Sequence, residues 1–386
     1  MRGSLLARGR VIGACAALAA AVAGCTTNGS AAPALSGKTL SVYISAPASL
    51  ASDQEAQDVI DAERLAFGQL QGQITAYKLK LVVLTHNKIS DNARQAIGDT
   101  GHAIAYLGEV LPGASADSIG INNAQGLLQV SPTDTAAELT QKVPTVPNSP
   151  TKFYESLGTY GRTFARVVPA TNVEAVALVH EMQLQGVKSV FVTDDGSQYG
   201  RTVASEVRNN ATGSLTTASS MSSADAVFFG GSDRTAATKT FDQATASNPT
   251  IKLFAPSALD NDGFATSLST VAQKNMYVSA PGLMPKQLAT AGGTFLTDFR
   301  SAYGRVPTTQ AIFGWEAMSA VLAVIHEAGS GANNRSTVVH DFSKIKNRSS
   351  PLGTYSINQN GDTSLGPAAF AIEHLRGTKL VAIQAG

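Results

Sequence analysis

"TFARVVPATNVEAVALVHEMQLQGVKSVFVTDDGSQYGRTVASEVRNN", residues 163–210, repeats one pattern twice. A short apolar run, "TFARVVP", leads into "NVEAVALVHEMQLQG", where apolar residues recur at helical spacing. A second run, "SVFVTDD", then leads into "GRTVASEVRNN". Strand-length runs that are apolar on both faces, alternating with amphipathic helices, predict parallel strands joined by crossover helices.

The pattern extends in both directions. Upstream, "TLSVYIS" (39–45), "KLKLVVLTH" (78–86), "AIAYLGE" (103–109) and "LLQV" (127–130) read as strands. Helical spacing over 53–70 and 91–100, and a helix at "SADSIGINNAQG", separate them. Downstream, "DAVFFGG" and "KLFAPS" are strands with a helix between, and 310–329 is a long, mostly apolar helix. The end turns antiparallel, as two strands around Arg376-Gly377. The fold class read from this is α/β, with two doubly wound lobes divided near Pro169.

The first residues read as a targeting segment. Arg2, Arg8 and Arg10 precede the apolar run "VIGACAALAAAVAG", which ends in "VAGC" at Cys25. Small residues before a cysteine resemble a bacterial lipoprotein signal. That implies a signal peptide over 1–24, lipidation at Cys25, a flexible tether over 25–37, and a body on the outer face of the membrane. Both cysteines, Cys15 and Cys25, lie in this region, so the body has no disulfide framework or thiol nucleophile. Beyond residue 24 the chain carries 26 cationic against 28 anionic side chains, which argues against nucleic-acid binding. No later stretch reads as a membrane span.

Motifs for catalysis fail on inspection. "SGKT" (36–39) lacks the leading glycine of a phosphate loop and precedes its strand. "SKIK" (343–346) stands without partner motifs, and no G-x-S-x-G elbow occurs. The histidines, His86, His102, His180, His326, His340 and His374, have no metal-ligand spacing. Binding is therefore favoured over catalysis, and no metal or cofactor is expected.

In doubly wound sheets ligands bind beyond the carboxyl ends of the strands. Four such junctions stand out. In "VSPTDTAAEL" (130–139), Thr135 and Glu138 form a T-x-x-E capping box, while the hydroxyls of Thr133 and Thr135 are also placed to meet a ligand. "GEVLPGAS" (108–115) is a turn-forming loop. In "VTDDGSQYGRTV" (192–203), Tyr199 can cover a ligand or pack on its own lobe. In "FFGGSDRT" (228–235), Asp233 is a candidate cation partner or a solvated carboxylate.

Taken in order, "YLGEV", "LLQVSPTDT", "FARVVPATNVEA", "VFVTDDGSQYGRTVA", "DAVFFGGSD", "PTTQAIFGWEAM" and "LGTYSINQNGD" resemble the type I periplasmic binding proteins, in particular the branched-chain amino-acid receptors of ABC importers. The resemblance implies a clamshell with a three-crossing hinge. Lobe 1 would be 38–167 plus 283–364, and lobe 2 would be 168–282 plus 365–386. It implies ligand contacts at Ser131, Thr133, Thr135, Thr171, Tyr199 and Trp315. Two positions depart from the family pattern: Pro112 replaces a serine, and Thr235 stands where a glutamate pairs with the ligand ammonium, with Asp233 nearby. An ordinary α-amino acid is therefore not the expected cargo. The reading is a monomeric, lipid-anchored solute-binding protein delivering a small polar metabolite to a membrane permease. Alternatives are a receptor for a membrane kinase and a clamshell that has become an interaction module.

Overall fold

The computed structural model describes residues 32, 34–283 and 294–383. Cys25 and the apolar segment before it lie outside the described residues. Two sheets organise the chain. The first contains β1 (Thr39–Ser45), β2 (Lys78–Leu84), β3 (Ala103–Leu107), β4 (Leu128–Ser131) and β5 (Phe164–Arg166). Its order is β2-β1-β3-β4-β5, all parallel. The second contains β6 (Ser189–Asp194), β7 (Thr216–Thr217), β8 (Ala226–Gly230), β9 (Lys252–Ala255) and β10 (Met276–Pro281). After a hairpin, β11 (Arg348–Ser350) with β12 (Gly353–Tyr355), come β13 (Phe370–Arg376) and β14 (Lys379–Ala382). The second sheet runs β14-β13-β10-β9-β8-β6-β7, with β13 and β14 antiparallel as expected from the Arg376-Gly377 turn.

Every residue of "AIAYL" in β3 and of "AVFFG" in β8 is buried. Helices cover both faces of these strands, which is why they are continuously apolar. The chain passes between the sheets three times, after Arg166, after Pro281 and after Tyr355.

The helix Ala311–Ala328 is long and apolar enough to pass for a membrane span, contrary to the sequence expectation. Its apolarity is explained by burial: Ile312, Phe313, Val321 and Ile325 are fully enclosed in the core beneath the first sheet. Gly314 brings it against the helix Gln54–Leu70, where a methyl group would run into the Val59 carbonyl oxygen.

One connection departs from simple lobe-by-lobe packing. Leaving β4, the chain sends Leu139, Val143, Val146 and Phe153 into the same core as the second-sheet helices Thr171–Leu184 and Gln198–Asn210. Thr145 meets Thr202 at 2.8 Å, and Lys152 donates to Gln198 at 2.9 Å. This packing explains why the strand ends of the two sheets face each other at close range.

Candidate functional site

The site is built where β3 and β4 end. Glu109 is fully buried and accepts hydrogen bonds from Ser45 Oγ (2.6 Å) and Tyr106 OH (2.8 Å). The Ser131 hydroxyl donates to the Glu109 carbonyl oxygen at 2.6 Å and accepts from the Asp134 N–H at 2.8 Å. Thr133 donates to the Val110 carbonyl oxygen at 2.5 Å. Asp134 accepts from the N–H groups of Gly113 (2.6 Å), Ser115 (2.8 Å) and Ala136 (3.1 Å). The two loops are thus one hydrogen-bonded unit, and the hydroxyls of Ser131 and Thr133 are committed to it.

Thr135 is different. Its carbonyl oxygen accepts from both the N–H and the hydroxyl of Thr171, each at 2.7 Å. Its own hydroxyl is fully buried and has no partner. The expected capping box is therefore absent. Ala137–Leu139 is a single 3-10 turn, and the Ala137 N–H is satisfied by Thr171 Oγ1 at 3.1 Å. The cap role has passed to a residue on another element, which leaves Thr135 uncommitted.

Four more buried oxygens lack partners around it: Tyr199 OH, Ser257 Oγ, Glu174 Oε2 and Glu138 Oε2. Glu174 uses its other oxygen to accept from the Ser257 N–H and the Ser279 hydroxyl, both at 2.7 Å. Burial pushes the Glu174 carboxyl up, while hydrogen bonding from Ser257 and Ser279 pulls it back and the nearby Thr135 hydroxyl favours the charged form. Burial also raises Tyr199, helped by the charge of Glu174 and opposed by the hydroxyls of Thr135 and Ser257. These mutual effects place Thr135, Glu174, Tyr199 and Ser257 in one cluster, drawn from four separate elements. A buried polar group without a partner costs about 1–3 kcal/mol, so a cluster of them is an unmet demand for hydrogen-bonding groups.

Beside the cluster lies a cavity of about 780 Å³, lined by Asp53, Pro112, Glu138, Tyr199 and Arg234. A narrow gap of about 20 Å³, walled by Thr133, Ser257, Asp260 and Gln310, continues from it. Arg234 reaches Asp53 at 3.4 Å across the cavity.

The sequence-predicted residues divide. Pro112, Thr135 and Tyr199 come together here, and Thr133 borders the gap. Ser131 and Thr171 are buried and hold backbone. Asp233 caps the helix Arg234–Ser247 by accepting from the N–H groups of Thr235 (2.9 Å) and Ala236 (3.0 Å). It is exposed, as is Thr235, so the geometry gives neither an inward-facing role. Trp315 donates to Gln69 at 2.9 Å and lines none of the cavities between the sheets. Its neighbour Glu316 is taken up by Arg348 (2.6 Å) and Tyr355 (2.7 Å). Asp233, Trp315 and Glu316 are each claimed by a partner that the motif does not reveal.

Glu174 and Ser257 were missed. The available signal was a carboxylate inside the otherwise apolar "VEAVALV", and a serine directly after the strand "KLFAP".

Several carboxyl groups of this region hold protons above their ordinary value of 4.5. Burial raises Glu109 to about 7, against hydrogen bonds from Ser45 and Tyr106. Burial likewise raises Glu138 and Glu55 to about 7. The folded form keeps these protons at pH values where the unfolded chain releases them. Their contribution to stability is complete below pH 4.5 and is lost as pH rises to about 7. Thermal unfolding from pH 4.5 to 8 should show this component falling up to about pH 7 and then levelling. Glu109→Gln and Glu138→Gln should each flatten the profile.

No protein-family model and no curated protein sequence matches this chain. Solved structures do. The leucine-binding protein LivK from Thermotoga maritima is 17% identical with a TM-score of 0.71, covering 90% of this chain and 98% of its own. LivJ, the branched-chain amino acid transporter substrate-binding protein from Streptococcus pneumoniae, solved with isoleucine, is 16% identical with a TM-score of 0.69, covering 89% and 98%. A solute-binding protein of an ABC transporter from R. palustris, solved with benzoate, is 16% identical with a TM-score of 0.66, covering 90% and 96%. The α/β fold with two largely parallel sheets matches that of the type I periplasmic binding proteins.

Proposed function

We infer that this chain is the solute-binding component of an ABC importer, capturing a small polar metabolite between two lobes that close on it. The lobes are proposed as 38–167 plus 283–364 and 168–282 plus 365–386. Lipidation at Cys25, with the body tethered outside the membrane beside its permease, belongs to the same proposal. No catalysis is assigned to the chain.

The observation that carries this reading is the cluster of unpartnered oxygens on Thr135, Glu138, Glu174, Tyr199 and Ser257. Thr135 and Glu138 belong to the loop after the first sheet's β4, whereas Glu174, Tyr199 and Ser257 belong to elements of the second sheet. A solute that bonds to both sets would tie the first sheet's loop to the second sheet's helices and so favour a closed arrangement. The isoleucine and benzoate bound in two of the matched structures suggest compounds of that size.

The missing glutamate at Thr235 does not leave an ammonium without an acceptor, since Glu174 and Glu138 face the cluster from elsewhere. What is missing is a donor for a carboxylate on the loop after β3. Pro112 has no N–H, and the Gly113 N–H is taken by Asp134. The proposed solute therefore presents donors to Glu174 and Glu138 and acceptors to the hydroxyls of Thr135, Tyr199 and Ser257, without setting an α-carboxylate against the Pro112 loop.

A thermal-shift screen of amino acids, amides, organic acids and nucleobases tests the reading. A solute at one hundred times its Kd adds about 2.7 kcal/mol to stability. At least one donor-rich compound should raise the melting temperature in the wild type but not in Thr135→Val with Tyr199→Phe. A flat response to all four classes would turn the assignment toward a surface interaction module.

A further inference from the structure

A second cavity, of about 580 Å³, lies between the two bodies beside Asp260. Its floor holds three carboxyl groups: Glu55 from the helix Gln54–Leu70, Asp260 after β9, and Glu373 in β13. All are buried, with exposures of 6%, 7% and 4%. Its walls are apolar, formed in part by Val306, Pro307, Leu380 and Val381.

The carboxyl groups are not paired with cations. Arg305 is used by Asp58 (2.6 Å) and Asp61 (2.7 Å), and Lys379 by Asp262 (2.7 Å). What the three groups have are neutral donors. Gln310 donates to Asp260 Oδ2, Thr309 donates to Glu373 at 2.7 Å, and Asn261 lies 3.4 Å from Glu55. Asp260 Oδ1 is buried and receives no neutral donor, and Asp260 and Glu373 are close enough to share a proton when one of them is protonated. Three enclosed carboxyl groups without a cation must be neutralised, by protons or by a guest that brings positive charge.

The guest's chemistry follows from the walls and the spacing. Among the described residues, no group of three carboxylate, histidine or cysteine side chains is arranged to hold a metal ion. The volume is that of a small-molecule pocket, and the apolar walls suit a hydrocarbon body. We propose that this chamber binds a primary ammonium compound with an apolar body, its charge set against Asp260 Oδ1 between Glu55 and Glu373. The proposal uses none of Thr135, Glu174 or Tyr199; Asp260 also walls the narrow gap beside the solute cavity, so the Glu373 and Glu174 variants are what keep the two readings apart. Burial raises all three carboxyl groups, so a bound ammonium would displace protons from them.

Titration calorimetry of the purified protein with benzylammonium chloride is the test, with benzyl alcohol and magnesium chloride in parallel. Saturable binding of benzylammonium is expected, with none for the alcohol. Asp260→Asn and Glu373→Gln should each weaken it by tenfold or more. Both variants keep side-chain volume, and a thermal melt verifies folding; if one fails to fold, the other decides. The proposal is overturned if benzylammonium gives no saturable heat, if the alcohol binds equally, if only magnesium binds, or if both variants bind as the wild type does. Binding lost in Glu174→Gln but kept in Asp260→Asn would assign the amine to the Thr135 cluster, overturning this chamber and leaving the solute-binding reading intact.

Discussion

Arg166→Ala should destabilise the protein by about 3–5 kcal/mol, the range for breaking a buried ion pair. Arg166 is fully buried and donates to Asp362 at 2.8 Å. It also donates to Thr140 and to the carbonyl oxygens of Asp134 (3.2 Å) and Ala136 (2.7 Å). Alanine leaves the Asp362 carboxylate enclosed with only Thr140 and Gln141 as donors, and frees the two carbonyls that flank Thr135. Urea denaturation measures the loss. Pairing Arg166→Met with Asp362→Leu should recover more than half of it, because the uncompensated charge is then gone. A loss of similar size in that double variant would mean that packing, and not charge, sets the cost.

Glu174→Gln should move stability and binding in opposite directions. The retained carbonyl oxygen can still accept from Ser257 and Ser279, while the new amide supplies donors where Glu174 Oε2 now has no partner. The empty protein should gain about 1 kcal/mol. Its stability should also depend less on pH, since the raised Glu174 proton no longer contributes. A solute found in the screen that donates to this oxygen should bind about 30-fold more weakly, equivalent to about 2 kcal/mol. Thermal unfolding without and with the solute reads both effects. A purely structural Glu174 would lower both or leave affinity unchanged.

The two-sheet architecture was legible because it follows from short-range regularities. "SVFVTDD" and "DAVFFGG" are apolar at consecutive positions, and they emerge as β6 and β8, hydrogen-bonded neighbours in parallel register. The helix Gln198–Asn210 begins where the polar "GSQ" turns the chain, with Ser197 accepting from the Gly200 N–H at 2.9 Å. The antiparallel end was readable from a Gly-containing turn between two alternating runs. Thr135 and Tyr199 were also reachable, since each lies within a few residues of a strand end.

Their neighbours were not reachable in the same way. Asp233 and Glu138 are both acidic residues near strand ends, and nothing local separates them. One is an exposed cap; the other is buried beside Tyr199's cavity. Ser131, Thr133, Thr135 and Thr171 all carry hydroxyls, and only the partners 20 to 40 residues away decide which remain unspent.

The sequence by itself therefore determined the alternation of strand and helix, the parallel direction of the strands and the places where strands give way to loops. Those features depend on periodicity and turn chemistry within a few residues. Only the tertiary structure decided which polar groups are satisfied. Glu174 meets the Ser257 N–H across 83 residues, Arg166 meets Asp362 across 196, and Asp260 meets Gln310 across 50. A hydrogen bond has one donor and a limited set of acceptors, so what a side chain has left to offer is settled only when its distant partners arrive.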